Sequence, residues 1–321
     1  VALFVAFAFG VNASHASAQS MNLTPDRLRI EQPPTGCSAS LSFDPRRAFC
    51  SDNAAWRSIG QQFGVALASP VLHGAATSGP DGFYVGLEGT VTGISQGADY
   101  WARGTRGSDA DLATGRNENV PPVLYWQRLA VRKGLPFGFE VGSSIGHLFG
   151  TSYVSLGADL KFALFEGFHH DWGAFVPDVA VRGSVQTMFG ASQTSIVVPS
   201  VDLTISKSFS VAGAGTITPL LGAQVLWVVV QSEVVDLTPE VDAYAVQRDT
   251  GNGDDFTNNG VFPDFNALRS RGFFGLEGRY RALSLSTTVM FDLSKPPDAG
   301  AATPLDLARQ WSWNFAVGLT M

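Results

Sequence analysis

Residues 311–321, WSWNFAVGLTM, decide how the rest of the chain is read. Trp311, Trp313, Phe315, Val317, Leu319 and Met321 share one parity; Ser312, Asn314, Ala316, Gly318 and Thr320 share the other. A period of two marks a strand, here with one apolar face that begins aromatic and one small, polar face. In hydrocarbon every backbone polar group needs a partner inside the protein. Strands therefore span a bilayer only as a closed barrel, apolar outward and polar inward. This strand carries the two faces such a wall requires.

The same pattern runs upstream from Gly82. Phe83, Val85, Leu87 and Val91 alternate with Tyr84, Glu88, Thr90 and Thr92. Val123, Tyr125, Leu129 and Val131 oppose Arg128 and Arg132, and Phe137, Phe139, Val141 and Ile145 oppose Glu140 and Ser144. Leu156, Leu160 and Phe162 oppose Asp159 and Lys161; Val179, Val181 and Val185 oppose Asp178 and Arg182; Val201, Leu203 and Ile205 oppose Asp202 and Thr204. Phe274, Leu276 and Tyr280 oppose Glu277, Arg279 and Arg281, and Leu285, Val289 and Phe291 oppose Ser286 and Asp292. Residues 217–232 form a longer, more apolar segment whose faces are ambiguous. The expected fold is all-β: an antiparallel up-and-down transmembrane barrel of about ten strands, with eight and twelve as alternatives.

The connections give an independent check. Residues 95–120, 233–270 and 294–310 are long, and all three fall on one side of a ten-strand count, while the turns at 134–136 and 281–282 fall on the other. A soluble β-sandwich also alternates, but nothing in it requires this sorting.

Composition agrees. Of 321 residues only 15% are charged, below the ~25% usual for soluble domains. Thirty-five Gly and 23 Phe favour strands and turns. No internal run reaches the ~18 apolar residues of a spanning helix. A net charge of −7, with scattered Arg, speaks against a nucleic-acid partner.

The terminal segment resembles the C-terminal signature strand of bacterial outer-membrane β-barrel proteins, which usually end in Phe or Trp where this chain has Met321. The resemblance spans residues 82–321. It implies a place in the cell outer membrane, contact with lipid and lipopolysaccharide, insertion by the barrel-assembly machinery, and a last strand that runs toward the periplasm.

The N-terminal residues read differently. Residues 1–18 are apolar and then small, ending in Ala16-Ser17-Ala18, and read as a secretory signal peptide. Residues 19–81 are expected on the periplasmic side. Asp52 and Asn53 can cap a helix near 53–67, whose Trp56, Ile59, Phe63 and Leu67 recur at helical spacing. That helix reads as packing beneath the barrel or plugging its lumen, and residues 65–77 as a further strand is a third option. Cys37 and Cys50 would close a disulfide in an oxidising compartment.

The inward parity collects Glu88, Arg128, Arg132, Glu140, Asp159, Lys161, Asp178, Arg182, Asp202, Glu277, Arg279, Arg281 and Asp292. Buried charges must be paired or wet. Two readings follow: an ion-pair network that stiffens the barrel, or a charged path for a small solute. Ten strands sit near the filled end of the size range. Arg132 with Glu140 and Arg271 with Asp292 are hairpin neighbours able to pair. Trp126, Trp227, Trp311 and Trp313, with Tyr125 and Tyr153, read as an interfacial girdle.

Candidate catalytic groups are sparse. Ser143 and His147 share a strand face, but four residues apart is roughly 13 Å, too far for a nucleophile and its base. His169, His170 and Asp171 sit in a short turn, and residues 249–255 resemble a calcium loop only faintly. The loop containing Tyr100, Trp101, Arg103, Arg106, Asp109, Asp111 and Arg116 reads equally as a ligand contact or a solvated loop. No enzyme and no cofactor is expected. A porin-like or transport role with a narrow polar lumen leads, followed by a structural or adhesive role for the long loops, and then by an outer-membrane hydrolase.

Overall fold

The computed structural model describes residues 19–34, 37, 48–166, 176–211, 215–239, 258–293 and 309–321. Residues 1–18, read above as a signal peptide, the His169–His170 turn and the 249–255 loop lie outside the described residues.

Ten antiparallel strands form the wall. They are β1 Phe83–Gly93, β2 Val123–Gly134, β3 Phe139–Leu148, β4 Val154–Phe165, β5 Asp178–Phe189, β6 Thr194–Ser206, β7 Gly215–Ser232, β8 Phe265–Tyr280, β9 Leu283–Asp292 and β10 Trp311–Thr320. Each pairs with its neighbour in sequence, and β10 returns to β1 with Trp313 opposite Val91. The sheet thus closes without a free edge. A three-residue strand, Phe209–Val211, adds onto the start of β7.

The outward parity is apolar and exposed around the barrel, as at Leu87, Leu129, Ile145, Leu156, Leu203, Leu276 and Val317. In water so continuous an oily band would drive aggregation; against acyl chains it is the required surface. Strand residues alternate between that band and the lumen, so hydrophobic pattern fixes register, because a one-residue slip would turn every charge into lipid.

The three longest connections share one end, as the strand count requires, together with the short connections 149–153 and 190–193. The strand ends that flank 94–122, 233–264 and 294–310 lie at one end, here the loop end. Turns 135–138 and 281–282 lie at the other, the turn end, where Met321 and Phe83 exchange backbone hydrogen bonds of 2.8 Å. One boundary differs from expectation. Strand β8 begins at Phe265, inside the segment read as loop, because Ala267, Arg269 and Arg271 face inward while Asn266 and Leu268 face out. Two arginines spaced by one residue look solvated in sequence and here line the lumen.

Helix α1 spans Asn53–Leu67, with the Asp52 carboxylate capping the Ala55 N–H at 3.0 Å. It lies inside the barrel, not beneath it. Its flanks Trp56, Ile59, Phe63 and Leu67 are fully buried against inward residues of β2, β6 and β7, among them Trp126, Ile196, Val198, Val228 and Val230. A Cβ built on Gly64 would stand 2.2 Å from a Val228 methyl, so glycine is what allows the helix to touch the wall there. This contact explains why residues 217–232 read as ambiguous: Leu226, Val228 and Val230 face a helix, not water.

Candidate functional site: a lumen filled by the chain's own N-terminal segment

The lumen has two storeys, each matching the backbone it holds. Near the loop end the inner wall is largely apolar and packs the side chains of α1, with the buried Arg269–Asp292 pair as its charged exception. Toward the turn end it is charged, and there residues 68–80 run on without helix or strand. A chain segment lacking its own hydrogen-bond ladder must find partners elsewhere. The wall supplies them. Arg128 donates to the Leu67 carbonyl at 3.0 Å and Arg182 to the Pro70 carbonyl at 2.9 Å. Arg271 donates to Val65 O, Gln224 to Ser69 O, and Lys161 to Gly74 O and Ala76 O. In the other direction Gly74 N–H donates to Glu277 at 2.9 Å, Ala75 N–H to Ser206 at 2.8 Å, and Ser78 N–H to Glu140 at 3.1 Å. Near the turn end Thr77 donates through both N–H and hydroxyl to Glu166 at 2.6 Å.

The wall charges also pair with one another. Arg182 meets Asp202 at 2.9 Å, and Arg269 meets Asp292. Four groups form a cluster: Arg132–Asp159 at 2.8 Å, Lys161–Glu140 at 3.0 Å, and Arg132–Glu140 at 3.8 Å. The void between Val71–His73 and Arg132, Lys161, Arg182 and Asp202 measures about 10 Å³, room for one water at most.

Of the thirteen residues assigned to the lumen by parity, twelve face it: Glu88, Arg128, Arg132, Glu140, Asp159, Lys161, Asp178, Arg182, Asp202, Glu277, Arg279 and Asp292. Arg281 does not. It occupies the two-residue turn with φ +53° and is exposed, its guanidinium 5.6 Å from the Tyr280 ring. Parity fails there because the strand has already ended. Arg271 sits opposite Asp292 in register, yet its guanidinium turns to Gln224 while Arg269 takes the Asp292 carboxylate. The Arg132–Glu140 pair exists only as the longest leg of the four-membered cluster.

Because Arg132 and Asp159 are both nearly buried and share partners, their effects should couple. Alanine at both sites is expected to cost less than the summed single losses, with a coupling of about 0.5–3 kcal/mol in urea unfolding from detergent micelles. Simple additivity would contradict the cluster.

Several aromatic assignments also change. Trp227, Trp311 and Trp313 face outward near the loop end, as a girdle requires. Trp126 and Tyr153 are buried and pack inward around α1, Tyr153 ring to Phe63 ring at 6.4 Å. Trp126 shares parity with Arg128, a signal present in the sequence.

A carboxylate–histidine pair that sequence reading did not assemble is present: His73 Nδ1 lies 3.3 Å from Glu277 Oε1, with the Tyr84 ring edge-on to the imidazole. It joins plug to wall in a closed space. Ser143 and His147 both face outward on β3; the His147 ring nitrogen contacts Thr151 O at 3.1 Å.

The cap lies at the loop end, not at the turn end expected for a periplasmic N-terminal segment. Met21 N–H donates to Gly150 O at 2.9 Å, Leu23 bridges Thr105, and Arg103 of helix α2 Asp99–Gly104 pairs with Asp52 at 2.8 Å. Tyr100 and Trp101 are buried beside α1, with Gln62 accepting from the Trp101 indole at 3.3 Å. They are cap core, not exposed contacts. Asp99 is held below the usual carboxylate range: partial burial opposes this, and hydrogen bonds from Arg116 and Arg103 outweigh it. The Cys37–Cys50 disulfide is formed within the cap. Within the cap an open concavity of about 720 Å³ is lined by Arg27, Arg29, Arg103 and Arg116, with Asp26, Glu31 and Phe49 among others.

Fold and lumen together define a membrane-type β-barrel sealed by its own N-terminal segment. No protein-family model matches the chain, and no curated protein matches it either. Among solved structures the chain is similar to Ail, the attachment invasion locus protein of Yersinia pestis, at 8% identity, covering 75% of this chain and 97% of that one, with a TM-score of 0.26. It is also similar to the translocator domain of autotransporter NalP from Neisseria meningitidis, at 10% identity, 83% and 96% coverage and a TM-score of 0.37. The KdgM porin matches at 7% identity, 73% and 98% coverage and a TM-score of 0.27.

Proposed function

We propose that this is a non-enzymatic outer-membrane barrel that is closed to solutes and acts through the cap at its loop end. The observation that carries this reading is the lumen itself. Residues 53–80 occupy it, and wall groups that would otherwise line a solute path are bonded to the plug or to one another. The porin-like reading needs those groups wet and accessible. The cap supplies an alternative working surface: a stapled lobe in which six of the eleven residues lining the concavity are charged. Binding or structural contact at the cell surface fits that arrangement, and lipid and lipopolysaccharide are the surroundings the outward band fits.

The test is electrical. The intact chain in planar bilayers is expected to give no steady current at moderate voltage. A stable, ohmic conductance from the intact chain would return the porin-like reading to first place.

A further inference from the structure

We propose that the N-terminal part of the mature chain stands on the outer face of the membrane, and that it reaches that face through the barrel's own lumen. This rests on the outer-membrane reading above and goes beyond it, since a barrel with a strand count of ten would ordinarily leave both ends of its chain on the periplasmic side.

The chain path carries the inference. Residues 19–24 and 48–52 are tied to the loop end by Met21–Gly150, Leu23–Thr105, Ala48–Asn258 and Asp52–Arg103 contacts. Residues 53–80 then descend the lumen, and β1 starts at the turn end, where Gly134 N–H meets Gly82 O at 3.0 Å. The segment therefore has its two ends at opposite ends of the barrel. That wall is hydrogen-bonded all the way round, so no lateral opening admits the chain. The residues before α1 reach the loop end only along the barrel axis, either drawn up it or enclosed as the strands close.

The lumen near the turn end suits a passing polypeptide. Arg128, Arg182, Lys161, Glu277 and Glu140 address main-chain carbonyls and N–H groups, which every residue carries. Charge-assisted bonds of this sort hold a backbone without its own ladder whatever its side chains. The segment that rests there is small-residue rich: Ala68, Ser69, Gly74, Ala75, Ala76, Ser78 and Gly79. Small side chains let an irregular segment lie within a charged ring without displacing it.

The experiment places one epitope in each of three full-length chains expressed in Gram-negative cells: between Gln19 and Ser20, after Gly115 at the loop end, and after Ala282 at the turn end. Heat-dependent gel migration first confirms that each barrel is folded. On intact cells the N-terminal epitope is expected to stain as strongly as the Gly115 epitope, and the Ala282 epitope only after permeabilisation. Staining at Gly115 without staining at the N-terminus would overturn the threading while leaving the outer-membrane reading intact. Staining at Ala282 but not at Gly115 would overturn both. If the N-terminal insertion does not fold, Glu31→Cys treated with a membrane-impermeant maleimide answers the same question: labelling on intact cells supports the proposal, and labelling only after lysis overturns it.

Discussion

Removing residues 19–80 is expected to turn an electrically silent barrel into a conducting one. The ladder that closes the wall runs from strand to strand and does not pass through the plug, so ten strands still close when the plug is absent. What is lost is a helix, about 10 Å across with its side chains, and the chain that continues it. The vacated space would be lined near the turn end by groups that now bind the plug, and those groups hydrate readily. Near the loop end Trp126, Ile196, Val198 and Val228 would face water, so the open barrel should be less heat-resistant as well as leaky. The lumen wall carries seven cations, Arg128, Arg132, Lys161, Arg182, Arg269, Arg271 and Arg279. It carries seven carboxylates, Glu88, Glu140, Asp159, Asp178, Asp202, Glu277 and Asp292. With the signs balanced, the discrete steps seen in the bilayer should discriminate only weakly between anions and cations. A deletion variant that folds, by its heat-shifted gel migration, yet stays silent would contradict the plug assignment.

The second large effect belongs to Asp202. Its carboxylate accepts from Arg182 Nε at 3.0 Å, and the same guanidinium reaches Pro70 O and Ser69 in the plug. Both side chains are almost wholly buried. Asp202→Ala leaves a buried cation without its counterion, a change that costs about 3–5 kcal/mol where such pairs have been broken. The loss should appear as a lower urea midpoint in micelles and a lower temperature for the gel shift. Arg182→Met with Asp202→Leu removes both charges, and most of the stability is expected to return, because no charge is left buried without its counterion. The double variant has nonetheless lost the donors to Pro70 and Ser69, so it should tolerate plug displacement better than the native wall does. Equal stability of Asp202→Ala and the native chain would mean the pair is hydrated.

Much of this architecture was legible because a barrel writes its two solvents into alternate residues. Residues 311–321 read correctly on both faces, and the three longest loops falling on one side agree with an even strand count. The helix Asn53–Leu67 was found at its observed bounds from Asp52 and the Trp56–Ile59–Phe63 spacing. Its location stays open between the lumen and the space beneath the barrel. Periodicity reports that a helix has a greasy flank and says nothing of which wall that flank meets. The clue was the one strand that failed to alternate. Residues 217–232 are apolar on both faces because lipid lies on one side and α1 on the other. Trp126 carried the same clue, sharing parity with Arg128. The backbone-directed bonds of Arg128, Arg182 and Lys161 had no sequence signature, since their partners are carbonyls that every residue owns. Arg281 was misplaced because parity continues on paper beyond the point where a strand turns.

A cross-link between helix and wall probes the sealed lumen most directly. Gly64 and Val228 approach so closely that a Cβ on Gly64 would lie 3.0 Å from the Val228 Cβ, near the ~3.5–4.5 Å of a disulfide. Cys37 and Cys50 already pair with each other, so Gly64→Cys with Val228→Cys adds one new pair. In the folded protein under mild oxidant the new disulfide is predicted to form and to survive denaturation, joining residues 64 and 228 in a single cross-linked peptide after proteolysis. Two free thiols at those positions, in a barrel shown to be folded, would mean that the helix lies elsewhere.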